Sequence, residues 1–190
     1  MKTKSISIYE ITAVGLMAAL VFVSSHLSIP IPTAIDNTRI HLGNVFCLLS
    51  GLLLGGWKGG LAAGIGSAFF DLFNPLYISS APFTLVFKFT MGFLAGQISH
   101  TGGRKGRVLR FNTIGSVTGA LPYVVLYLGK SFLSGLWFKK VELATALADV
   151  GLKSVASLTN AVIAVAVAVP LGLAVEKALR NTPLGKKLGS

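Results

Sequence analysis

Asp149, Lys153 and Asn160 lie in one apolar run, four and then seven positions apart. On an α-helix that spacing puts an acid, a base and an amide on one face. Two roles fit: a structural ion pair in which Asp149 neutralises Lys153 away from lipid, or the polar lining of a ligand cavity. Asn44, Asp71 and Lys88 supply the same side-chain types earlier in the chain and admit the same two roles, with an Arg39 to Asp71 pair as a structural alternative. Tyr77, Tyr123, Tyr127 and Trp137 either stack on a flat ring or form an interfacial aromatic belt. The motifs of covalent chemistry are missing. Gly129, Lys130 and Ser131 look like the end of a phosphate-binding loop, but the glycine needed five positions upstream is Val124. His26, His41 and His100 show no H-E-x-x-H spacing, and no G-x-S-x-G elbow occurs. These residues point to binding rather than catalysis, and no catalytic residue, metal or cofactor is expected.

The surroundings of these polar groups explain why they matter. Of the 190 residues, 53% are hydrophobic and 12% charged, against a charged fraction of roughly 25% in soluble domains. Mean hydropathy is +0.74. The composition excludes an ordinary soluble domain and predicts an integral membrane protein. The formal charge of +11 does not call for nucleic acid, because most basic residues lie in short segments between apolar runs or at the C-terminus. Membrane orientation and anionic lipid account for them. The single cysteine, Cys47, cannot form an internal disulfide and reads as a small core hydrophobe.

The expected fold is an all-α integral membrane protein, a compact bundle of six transmembrane helices forming one domain over residues 1–190. The helices are placed at about 9–27, 39–55, 58–73, 81–99, 112–133 and 141–179. Residues 40–57 carry no Lys, Arg, Asp or Glu, close to the ~20 apolar residues that a membrane crossing needs. In IPIPTAIDNTR, Pro30, Pro32, Asp36 and Asn37 stop helices and build ordered loops. The last apolar run is too long for one straight crossing, so its start is expected in the interface or as a separate short turn. Lys2, Lys4, Lys58, Arg104, Lys105, Arg107, Arg110, Lys177, Arg180, Lys186 and Lys187 fall on one side of this topology. Arg39, Lys130, Lys139 and Lys140 fall on the other. The excess predicts both termini in the cytoplasm and the first, third and fifth loops outside.

Glycines four apart recur at 51 and 55, 60 and 64, 92 and 96, and 115 and 119. Small residues at that spacing let membrane helices approach closely, and packing within the bundle is the expected use. Gly15 and Ala19 are the exception: a small-residue face on the first helix suits a partner subunit.

The order AVGLMAALVFVSSHLSIPIP, then RIHLGNVFCLLSGLLLGGWKGGLAAGIGSAFFDLF, then APFTLVFKFTMGFLAGQI resembles the S components of energy-coupling factor (ECF) vitamin transporters. It is most similar to the group around riboflavin, hydroxymethylpyrimidine and pyridoxine uptake. The resemblance implies a six-helix protein that captures a vitamin from outside and associates with a membrane coupling subunit (T component) and two cytoplasmic ATPases. In that family the first and third loops and helices 4 to 6 line the vitamin site. Small residues spaced A-x-x-x-A on helix 1 face the coupling subunit; the matching pair here is Gly15 and Ala19, with Ala13 and Ala18 as nearby alternatives. The expected ligand is pyridoxine or hydroxymethylpyrimidine, then riboflavin, with Asn44, Asp71, Lys88, Tyr123, Asp149, Lys153 and Asn160 as binding residues. The rival is a stand-alone ion-coupled secondary transporter in which Asp71 or Asp149 carries the proton.

Overall fold

Ser7 starts the first helix, α1 (Ile8–His26), in a computed structural model that describes residues 7–180 and residue 182. Its hydroxyl accepts the Tyr9 N–H at 3.3 Å while Glu10 accepts the Ser7 N–H at 3.0 Å. This reciprocal cap satisfies two of the donors that a helix start leaves free. Glu10 also pairs with Lys58 at the start of α3 (Gly56–Leu72). The remaining helices are α2 (Gly43–Leu54), α4 (Ala81–His100), α5 (Leu109–Leu133) and α6 (Leu143–Leu179).

The segment after α1 corrects the all-α expectation. Strands β1 (Ser28–Pro32) and β2 (Asn37–His41) pair antiparallel, with Ser28 opposite His41 and Pro32 opposite Asn37. Backbone bonds run from Thr33 N–H to Asp36 O at 2.8 Å and from Leu42 N–H to Leu27 O at 3.3 Å. Pro30 and Pro32 therefore take the alternate positions, where an N–H would point away from β2 and none is needed. The second helix consequently begins at Gly43 rather than 39, and Arg39 and His41 are strand residues.

Among the described residues, four helical stretches are long and apolar enough to cross a membrane: Ile8–His26, Ile78–Gly103, Leu109–Phe138 and Leu143–Leu179. With 12 and 17 residues, α2 and α3 are shorter, about 18 and 25 Å at 1.5 Å per residue, against a hydrocarbon core of about 30 Å. Of the two expectations for the start of the last run, the separate short turn does not occur. The opening of the run, LATALADVGLK, is rich in Ala and Leu, strong helix formers, and α6 continues for 37 residues.

α2 forms the centre. Cys47 and Leu48 are fully buried, and Leu52 joins Val21, Met91, Ala164 and Ala168 from three other helices in one cluster. The paired glycines set the helix spacing. A Cβ at Gly92 of α4 would stand 2.8 Å from the Gly59 carbonyl oxygen of α3, and one at Gly115 of α5 would stand 2.7 Å from the Ala95 carbonyl oxygen of α4. Backbones this close leave no room for a side chain.

Candidate functional site

Asn160 shows how the hairpin is held. Its Oδ1 accepts the His41 N–H at 3.0 Å and its Nδ2 donates to the Arg39 carbonyl at 2.8 Å. The side-chain amide thus acts as a one-residue strand, pairing backbone groups that would otherwise be buried without partners. Three turns earlier on the same face of α6, Asp149 accepts the Thr33 hydroxyl at 2.5 Å and the Ile35 N–H at 3.0 Å. About 16 Å of helix separates the two attachment points, enough to seize the hairpin at its base and at its tip. Lys153, between them, lies 2.7 Å from Asp149, donates to Ser131 Oγ at 2.7 Å and stands 3.8 Å from Asp36 of the hairpin loop. Lys139, beyond the C-terminal end of α5, pairs with Asp36 from the opposite side.

Beneath the hairpin is a cavity of about 230 Å³. Arg39 reaches into it from β2 with its guanidinium 3.9 Å from the Phe70 ring centre and 4.6 Å from that of Tyr77, its Nη2 3.4 Å from Asp71. The second Asp71 oxygen accepts the Thr84 hydroxyl. Lys88, 3% exposed, donates to Asn44 Oδ1 and stands 3.7 Å over the Tyr123 ring. Tyr123 and Tyr127, one turn apart on α5, stack with centroids 6.1 Å apart, and the Tyr127 hydroxyl lies 3.1 Å from that of Thr38. Lys130 donates to Ser80 Oγ at 2.8 Å. His41 is buried, and its Nδ1 accepts the Gly43 N–H at 3.1 Å.

Of the residues singled out from sequence, Asp71, Lys88, Tyr123, Lys153 and Asn160 line this one cavity. Asn44 stands behind Lys88, and Asp149 behind Lys153 and the hairpin. Tyr77 and Tyr127 face the cavity, whereas Trp137 is 70% exposed outside it. Sequence reasoning missed Thr38 and Thr84, and it set Lys130 and Ser131 aside as the end of a broken phosphate-binding loop although both line the cavity. Gly15 and Ala19 are exposed on α1, and a Cβ at Gly15 would meet nothing within 4 Å. Ala18, by contrast, is buried where α1 packs on Gly66 of α3.

The sequence pattern of the family described as ECF-type riboflavin transporter, S component, matches residues 5–177. The chain belongs to this family. That family is one of transporter S components, and the four apolar helices fit a multi-pass membrane protein. The S component is also similar to a Pyrococcus woesei protein described as "Uncharacterized protein in gap 3'region", 36% identical over 96 residues. That match covers 50% of this chain and 62% of the relative, so it spans less than two thirds of the relative's length.

Proposed function

We propose that this S component captures a single-ring B vitamin or vitamin precursor, of the size of pyridoxine or hydroxymethylpyrimidine, in the cavity beneath the hairpin. The cavity itself carries the reading. At about 230 Å³ it falls below the roughly 300–1,000 Å³ of sites for drug-sized ligands, and stacked tyrosines form one wall. Asp71, Lys88, Tyr123, Lys153 and Asn160 contact the ligand, while Asn44 and Asp149 position Lys88 and the hairpin. Riboflavin is the second reading, favoured by the family's description. Equilibrium titration of the purified protein separates them: pyridoxine or hydroxymethylpyrimidine binds more tightly than riboflavin if the single-ring reading holds, and the reverse order overturns it.

The topology proposed is six membrane crossings in the cell membrane with cytoplasmic termini. α2 and α3 fall short of full crossings, but non-helical backbone is tolerated at membrane depth where protein covers it, and the hairpin satisfies that condition through Asn160 and Asp149. The Lys58 to Glu10 pair and the Arg107 to Glu176 pair at 2.6 Å belong to the cytoplasmic end, the hairpin to the outside. Lys2, Lys4, Lys186 and Lys187 lie outside the described residues. The exposed Gly15 and Ala19 face receives the membrane coupling subunit, which with two ATPases drives delivery.

A further inference from the structure

Five cations line the cavity: Arg39, Lys88, Lys130, Lys139 and Lys153. Three carboxylates balance three of them. Asp71 takes Arg39 at 3.4 Å, Asp149 takes Lys153 at 2.7 Å, and Asp36 takes Lys139. Lys88 and Lys130 form no ion pair among the described residues. The Lys88 ammonium, 3% exposed, has three donors but one hydrogen-bond acceptor, Asn44, and a ring beneath it. Arg39 Nη1 is buried with no hydrogen-bond partner at all. A buried cation without a counter-charge is costly, and the cost rises at membrane depth. Arg39 Nη1 therefore lacks an acceptor and Lys88 Nζ has one for its three donors, and, with Asp149 counted from behind the wall, the five cations exceed the carboxylates by two.

We infer that the ligand is an anion: a single ring bearing one carboxylate or phosphate, whose oxygens bind Lys88 Nζ and Arg39 Nη1 while the ring lies along Tyr123 and Tyr127. The inference rests on the single-ring reading above and narrows it, favouring charged members of that size class over neutral pyridoxine and hydroxymethylpyrimidine. An anionic oxygen group answers both unmet donors at once. A neutral hydroxyl would accept from them but would leave the net charge uncompensated.

The test uses the purified full-length chain in detergent, titrated with matched compounds: 4-pyridoxate and pyridoxine 5′-phosphate against pyridoxine, and nicotinate against nicotinamide. At least one anion should bind tenfold or more tighter than its neutral partner, and the member that does so distinguishes carboxylate from phosphate. Lys88→Met should abolish that preference. Without added compound, the same variant should melt at a higher temperature than the parent, because it removes a charge the protein leaves unpaired. Neutral partners that bind as well as the anions would overturn the charge inference and leave single-ring capture standing. Binding of none of these compounds would overturn both. A lower melting temperature for Lys88→Met would show that Asn44 and Tyr123 suffice for the ammonium, which also overturns the inference.

Discussion

Asn160 connects α6 to two backbone groups of β2, so its replacement should act on the hairpin before it acts on the ligand. A buried backbone donor or acceptor left unpaired costs about 1–3 kcal/mol. Asn160→Leu, which removes both partners, should lower the melting temperature and weaken pyridoxine binding together, whereas Asn160→Asp keeps the acceptor for His41 N–H and should lose less of each. Thermal melts and titration check the order. Asp149 and Lys153 behave differently. Lys153→Met leaves Asp149 without its cation, with a penalty of about 3–5 kcal/mol, whereas Asp149→Leu leaves Lys153 with Asp36 at 3.8 Å and should cost less. The double variant removes the charge problem but still abandons the Ile35 N–H and the Thr33 hydroxyl. Its melting temperature should fall between the single variants and the parent, with binding still lost because the hairpin tip is free. A double variant that binds as well as the parent would exclude both residues from the site. The shared face of these three residues was legible in the sequence, because helical spacing is local information. That the face clamps a strand more than 100 positions away was not, since nothing in an amide or a carboxylate announces which backbone it will meet.

At the scale of elements, hydropathy located the six α-helices among the described residues, and small residues located the close contacts. It failed at the hairpin for a definite reason. Two prolines in five residues argue against a strand, yet both sit where a two-stranded ribbon needs no donor, and helix 2 was drawn too long as a result. The glycine faces separate into two kinds with a measurable difference. Gly92→Val should prevent correct packing of α4 on α3 and abolish folded protein in size-exclusion chromatography, because a Cβ there already crowds the Gly59 carbonyl. Gly15→Trp meets open space, so the isolated chain should fold and bind normally. The same substitution should block close approach of a partner helix, so co-purification with the coupling subunit should be lost. Equal loss of ligand binding and assembly in Gly15→Trp would place that residue in the bundle's own packing instead.

For the whole molecule, composition pointed to a membrane protein, and the resemblance of three stretches to known S components pointed to the family that the family pattern matches. The substrate was not legible, because it depends on how residues from β2, α3, α4, α5 and α6 converge. In that convergence the hairpin covers a small cavity at one end, basic residues gather at the other, and a bare small-residue face is left on α1. On the proposed reading such a molecule binds and hands over, and does not concentrate a solute by itself. The decisive measurement is uptake into proteoliposomes of whichever labelled ring compound binds the purified chain, with the chain alone and then with the coupling subunit and ATPases. The chain alone should bind the compound stoichiometrically and accumulate none under an imposed proton or sodium gradient, and accumulation should appear only with the full complex and ATP. Uphill uptake by the chain alone, driven by either gradient, would contradict the account and establish an ion-coupled transporter in its place.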